Sequence, residues 1–228
     1  MQSILNATTE AEFFKILSYA AINLGFEKCG FGMRAPLPVS NPKVVLLNNY
    51  PTSWQEQYAQ QNYLQIDPTV AHGMKSLMPI IWSDNLFSSC RPFWEEACAN
   101  NLRVGWSQSV HDARGVGGLL SLVRSDDEIS HSELILNSLK MSWLAQLAFE
   151  GLSKILISEL LPEMHINLTT REIEVMRWTA DGKTSSEVGQ IMCISDSTVN
   201  FHVNNAVSKL GATNKTAAAI RATLLRLL

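Results

Sequence analysis

No run of apolar residues in this chain approaches the ~20 that a membrane-crossing helix needs, and no charged segment followed by an apolar stretch opens it. These absences predict a cytoplasmic protein with no membrane partner. Cysteine is scarce, and Cys29, Cys90, Cys98 and Cys193 form no C-x-x-C pair and sit far from any histidine at metal spacing. Free, reduced, mostly buried thiols are expected, which excludes a disulfide framework and a zinc site. The histidines His72, His111, His131, His165 and His202 show no ligand spacing, and no G-x-S-x-G occurs. An enzyme using metal-bound water or an activated serine therefore lacks its parts, and no catalytic residue is assigned. Charge is sparse too: charged residues make up 17% of the chain and the net charge is −3, so this is no nonspecific polycation. There is no internal repeat and no low-complexity tract.

What remains is a folded chain, since 46% hydrophobic content in 228 residues rules out disorder and leaves room for one large domain or two modest ones. The charge is unevenly spread. Residues 1–165 carry 11 Lys and Arg against 16 Asp and Glu, whereas residues 166–228 carry 7 against 5. The mildly basic end has the sign that phosphate contact requires.

That end also carries the clearest pattern. LTTREIEVMRWTADGKTSSEVGQIMCISDSTVNFHVNNAVSKL (168–210) reads as three short helices. The first is capped at Thr170 and stopped by Asp181-Gly182; the second starts at Ser185 or Ser186 and buries Val188, Ile191 and Met192. The third follows Ser195-Asp196-Ser197. Its Val199, Val203, Ala206 and Leu210 recur at i, i+4, i+7 and i+11, one apolar stripe. The opposite face carries Ser197, Asn200, Phe201, Asn204, Asn205 and Ser208. From spacing alone this is either an ordinary three-helix bundle or a helix-turn-helix whose last helix lies in a major groove. In the second case Asn200 and Asn204 suit adenine edges, Phe201 either meets a thymine methyl or packs locally, and Lys183, Thr184, Ser185 and Thr198 hold phosphates.

Upstream, an amphipathic helix capped at Thr8 buries Phe13, Phe14, Ile16 and Leu17 and ends at Gly25. FEKCGFGMR, KVVLLN, PIIW, 104–110 and 119–124 read as strands, the last two as a hairpin. Helices start at Pro51, after Asp67-Pro68 and near Phe93, and Ser130 caps a long one. The pattern predicts an α+β chain: an α/β/α sandwich over residues 1–160, a linker at 161–167, and an all-α helix-turn-helix domain over 168–228. In the first domain Tyr50, Trp54, Tyr58, Asp67, Thr69, Trp82, Phe93 and Trp94 crowd together. Two readings stand side by side: plain core with Asp67 as a helix cap, or a ligand site.

The C-terminal stretch closely resembles the DNA-binding domain of LuxR-type transcriptional regulators, matching near-fixed residues at Glu172, Trp178, Gly182, Lys183, Val199, His202, Lys209, Leu210 and Lys215. Met176 departs from the usual Leu, a swap that conserves volume. NYPTSWQEQYAQQNYLQIDPTV, PIIW, FWEEA and VGWS resemble that family's autoinducer-binding domain. The resemblance implies a quorum-sensing regulator that binds an N-acyl-homoserine lactone, with no other cofactor, and acts as a homodimer on inverted-repeat promoter DNA. By position it implies that Trp54 donates to the lactone carbonyl, Asp67 accepts from the amide N–H and Tyr50 donates to the acyl carbonyl. Ser121 and Thr69 are further polar contacts. Tyr58, Trp82, Phe93, Ala97 and Trp106 would wall the ring or the start of the chain, and Gly105 would permit close backbone approach. Lys209 joins the DNA-binding set. The long helix from Ser132 to Leu160, and Ala218, Ala222 and Leu225 of a final helix, would form dimer contacts.

Overall fold

The computed structural model describes residues 2–113, 115–160 and 166–228. It divides into two compact units, Met1–Arg34, Val44–His111 and Val116–Ile157 in one, and Ala35–Lys43, Asp112–Gly115 and Ser158–Leu228 in the other. Of the linker expected at 161–167, residues 161–165 with Pro162 lie outside the described residues.

The first unit is built on five antiparallel strands in the order β2-β1-β5-β4-β3. They are β1 (Lys28–Arg34), β2 (Val44–Asn48), β3 (Ile80–Ile81), β4 (Val104–His111) and β5 (Gly117–Arg124), the last two forming the expected hairpin. Its helices are α1 (Glu10–Asn23), α2 (Thr52–Gln60), α3 (Pro68–Gly73), α4 (Arg91–Ala99) and α5 (His131–Leu160). Strand alternation gives the sheet two unlike faces. The registers align Cys29, Leu122 and Trp106 in one row and Phe31 with Leu120 in the next, all buried. Helices α1 and α5 cover this side. Phe13 meets Phe31 edge-on at 6.3 Å, and a Cβ on Gly118 would come within 2.7 Å of Phe149 on α5. Arg124 pins α5 with a bidentate pair to Glu133 at 3.0 and 2.9 Å, and the Ser130 hydroxyl accepts the Glu133 N–H at 3.2 Å to cap that helix.

The opposite face carries small residues instead: Gly30, Ser121 and Ser107 in one row, Gly105 beside Val123 in the next. Above it lie Trp54 of α2, Phe93, Trp94 and Ala97 of α4, with Tyr63, Phe87 and Leu102, clustered on Val123. One side of the sheet is solid core, and the other has a low floor under an aromatic roof.

The second unit holds α6 (Thr170–Ala180), α7 (Ser185–Met192), α8 (Asp196–Lys209) and α9 (Lys215–Leu224). The predicted stripe is its core: Val199, Val203, Ala206 and Leu210 are buried, and Val175 and Val188 complete the cluster. Ile191 is exposed rather than buried, because the short α7 turns it away from that cluster. The turn between α7 and α8 is tight enough that a Cβ on Gly189 would lie 2.8 Å from the Ile194 carbonyl oxygen. Two caps sit one residue away from the expected threonine, the first one later and the second one earlier. Thr9 and Thr169, not Thr8 and Thr170, accept the N–H groups of Glu12 and Glu172. Among the cysteines, Cys29 is buried, Cys90 and Cys98 are half-buried and Cys193 is exposed, so "mostly buried" holds for the first alone.

Candidate functional site

On the small-residue side, Asp67 caps α3 with one carboxylate oxygen and turns the other to Tyr58. Its Oδ1 accepts the Thr69 N–H at 2.8 Å and the Thr69 hydroxyl at 2.6 Å, while Oδ2 accepts the Tyr58 hydroxyl at 3.0 Å. The cap reading of Asp-Pro holds, and Oδ2 keeps a lone pair for a further donor. Burial raises the Asp67 pKa, against donors from Thr69, Tyr58 and the Val70 N–H. Burial raises Tyr50 and Tyr58 as well, and the neighbouring Asp67 charge adds to it. Asp67, Tyr50 and Tyr58 are half-buried, so they border accessible space, a hollow over the row of small residues.

The three tryptophans differ in an informative way. Trp82 donates its indole N–H to Ser107 Oγ at 2.8 Å, and Trp94 donates to Asp84 Oδ1 at 2.7 Å. Trp54, only 3% exposed, has no hydrogen-bond partner for its indole N–H among the described residues. Gln108 Oε1 is the one sealed side-chain polar atom left unpaired among those residues, so the Trp54 N–H opens onto accessible space. A donor nearly engulfed by aromatic rings and still unpaired is one that a guest would satisfy.

Several expected roles change. Trp106 lies on the opposite face of the sheet, in the row of Leu122 and Cys29, because it alternates with Gly105 and Ser107; it is core, not a wall. The Thr69 hydroxyl spends its one proton on Asp67 and has none for a ligand carbonyl. Gly105 does permit a close approach, but of Trp82: a Cβ there would fall inside the indole. Two residues went unnoticed in the sequence. Gly30 does for Tyr50 what Gly105 does for Trp82, since a Cβ would lie 2.8 Å from the Tyr50 hydroxyl. Ser107 joins Trp82 to Ser121, whose Oγ lies 2.8 Å away, and Ser121 in turn adjoins the Tyr50 hydroxyl. Ala97 and Phe93 stay where expected, in the aromatic roof.

In the second unit, Ser197, Asn200, Phe201, Asn204 and Ser208 are exposed along one side of α8, with Phe201 61% exposed. Thr184 and Ser195 cap α7 and α8. The Ser185 hydroxyl donates to Asn200 Oδ1 at 2.7 Å, which occupies one of that oxygen's two lone pairs and leaves both amide protons to offer. Asn204 keeps both groups. Lys209 is engaged elsewhere: its ammonium contacts Glu172 Oε2 at 2.7 Å and ties α8 to α6. Ala218, Ala222 and Leu225 are buried within the chain, where α9 packs on α6 and α8, so they offer no dimer contact. A groove of about 510 Å³ between α6 and α9 has Lys183 and Lys215 in its lining.

Burial would raise the Glu172 carboxyl, but Lys209 and Thr169 outweigh it and hold it below the ordinary carboxylate range. A carboxylate lowered on folding contributes stability above its unfolded pKa and loses it as pH falls through the folded one. The second unit is therefore expected to lose stability below the ordinary Glu value of 4.5. Glu172→Ala, which removes both the cap partner and the ion pair, is expected to cost on the order of 2 kcal/mol and to flatten that acid limb in thermal melts.

Comparison with known proteins agrees with this division. Residues 9–152 match the autoinducer binding domain, and residues 166–222 match the bacterial regulatory proteins of the luxR family. The chain is 42% identical over 230 residues to the transcriptional activator protein AnoR of Acinetobacter nosocomialis, covering 100% of this chain and 97% of that one. It is 36% identical over 215 residues to the HTH-type quorum-sensing regulator RhlR of Pseudomonas aeruginosa, covering 94% and 89%. The crystal structure of Escherichia coli SdiA superposes with a TM-score of 0.83 at 34% identity, covering 99% of this chain and 94% of that one. SdiA in complex with octanoyl-rac-glycerol gives 0.81, again at 34% identity, covering 98% and 91%. A signal-binding α/β domain followed by a helix-turn-helix makes this a ligand-responsive transcription factor, not an enzyme. The chain belongs to the LuxR family of quorum-sensing transcriptional regulators.

Proposed function

We propose that the signal is an N-acyl-homoserine lactone and that the liganded chain binds inverted-repeat promoter DNA in the cytoplasm as a homodimer. The unpaired Trp54 N–H carries the ligand reading. An acyl-homoserine lactone offers one N–H and two carbonyls, and the hollow supplies the complement: Trp54 for the lactone carbonyl, Asp67 Oδ2 for the amide N–H, Tyr50 and Ser121 for the acyl carbonyl. Leaving any of these unpaired in a closed site costs about 1–3 kcal/mol, and each buried methylene of the tail contributes ~0.8 kcal/mol. The octanoyl glycerol bound by SdiA supports an acyl-tailed amphiphile. Guest binding stabilises the folded first unit by mass action. The test is to express the chain with and without a panel of lactones and identify any co-purifying molecule by mass. A chain that stays soluble and dimeric alike without lactone, and retains none, would sink the ligand reading.

The dimer reading rests on α5. Ile135, Leu136, Leu139 and Trp143 form an exposed apolar strip on that helix, with Leu139 82% exposed. Leu139→Asp is expected to shift the liganded chain to monomer by at least tenfold in dimer affinity, read by analytical ultracentrifugation. Ile220 on the outer side of α9 is the second contact, in place of the buried Ala218, Ala222 and Leu225. A two-fold dimer would then present one α8 to each half-site. Asn204 takes the bidentate adenine contact, Asn200 gives donors to purine or phosphate acceptors, and Phe201, Ser197 and Thr198 flank them. Lys183 and the backbone N–H groups at the start of α7 hold phosphates, since the Thr184 and Ser185 hydroxyls give their protons to Glu187 and Asn200, with Lys215 beside Lys183 on the α6–α9 groove. Asn204→Ala is expected to cost about 1–3 kcal/mol on the cognate half-site and to relax sequence preference there.

A further inference from the structure

The floor of the site contains a row of hydroxyls that the named ligand contacts do not explain. Trp82 Nε1 can only donate, so Ser107 Oγ accepts from it at 2.8 Å. Ser107 is fully buried, and among the described residues its only other polar partner is Ser121 Oγ at 2.8 Å. Its single proton has one place to go. If Ser121 donated to Ser107 instead, the Ser107 proton would be stranded in a sealed position, a costly arrangement. The Ser121 oxygen therefore accepts, and its own proton is turned away from Ser107 toward the Tyr50 hydroxyl and the hollow. Cross-strand pairing fixes the row: Gly30, Ser121 and Ser107 sit opposite one another on β1, β5 and β4.

We propose that Ser107 is a positioning residue that, held by the Trp82 indole N–H, forces Ser121 to act as a hydrogen-bond donor to the guest. The site then discriminates by hydrogen-bond polarity at that point. It takes a carbonyl acceptor and rejects a group of the same shape that accepts poorly. This deepens the lactone reading and rests on it.

The test compares two guests identical except at the acyl group, an N-acyl-homoserine lactone and its thioamide, whose sulfur is the poorer acceptor. The full-length chain is expected to bind the amide about tenfold more tightly than the thioamide. Ser107→Ala and Ser121→Ala should each lower that ratio toward the level that the Tyr50 hydroxyl alone sustains, and the double variant should lower it no further than Ser121→Ala alone, because Ser107 acts only through Ser121. Ser107→Thr, which keeps the hydroxyl, should restore the ratio. Trp82→Phe, which keeps a ring over Gly105 but removes the N–H, should reduce it, and this carries the test if Ser107→Ala fails to fold. A packing role for Ser107 would weaken both guests equally and leave the ratio standing. An unchanged ratio in both Ser107→Ala and Trp82→Phe, with Ser121→Ala reduced, overturns the positioning role alone. Binding of neither guest by the parent chain overturns the lactone reading with it.

Discussion

Replacing Asp67 with alanine is expected to raise the half-maximal lactone concentration by roughly 100-fold while leaving the helix-turn-helix folded. Three losses coincide in that carboxylate. The guest N–H loses its only anionic acceptor, a charge-assisted bond of about 1.5–3 kcal/mol. The Tyr58 hydroxyl and the Thr69 N–H lose their partners, and α3 loses its cap, worth about 1 kcal/mol. Asp67→Asn separates these effects. It keeps an amide oxygen for the Thr69 N–H but lacks the charge, so it should fall between the parent and alanine in a reporter titration. A normal response in Asp67→Ala would remove Asp67 from the site. The raised Asp67 pKa adds a pH signature. A carboxyl raised on folding binds its proton more tightly when folded, so the ligand-free unit is more stable at low pH and loses that margin as pH rises through the folded value. An amide N–H from the guest favours the ionised form, so lactone should offset the loss, which melts recorded upward from pH 3.8 with and without ligand would show.

The smallest substitution is expected to do comparable damage. A methyl group on Gly105 would occupy the position of the Trp82 indole. Trp82 must then leave the sheet, giving up its bond to Ser107, its edge-on contact with Phe87 at 5.7 Å and its contact with Trp94 at 6.3 Å. Overpacking of this kind costs about 1–3 kcal/mol or more, and here it also dismantles the roof of the hollow. Gly105→Ala should lose the lactone response at any practical concentration. Gly30→Ala should be milder, because its contact is the far end of Tyr50 at 2.8 Å. Equal effects of the two, or a silent Gly105→Ala, would contradict this geometry.

Much of this was readable before any coordinates. The Val199–Leu210 stripe, the Gly182 stop and the β4–β5 hairpin follow from period and turn chemistry, which are local. The cap shifts were readable too: T-x-x-E occurs as Thr9–Glu12 and Thr169–Glu172, and the glutamate three residues on selects Thr9 over Thr8 and Thr169 over Thr170. Trp106 alternates with Gly105 and Ser107 along the strand, so VGWS serves both faces of the sheet, and a resemblance over the whole stretch does not separate them. The Ser107–Ser121 contact was beyond reach, since nothing local fixes the register of β4 on β5. Lys209 was misread for a related reason. A lysine closing an amide-rich helix suggests phosphate, and only the fold brings it 2.7 Å from Glu172, 37 residues earlier. The α9 alanines show the same limit, because an apolar helical face does not announce whether it packs on its own chain or on a second copy.

The most direct measurement is fluorescence anisotropy of a labelled inverted-repeat duplex titrated with the purified chain, with and without an N-acyl-homoserine lactone, for the parent and Asp67→Ala. Lactone is expected to tighten binding by the parent at least tenfold and to leave Asp67→Ala unmoved. Identical curves with and without lactone for the parent, at any chain length tried, would contradict a guest-controlled regulator.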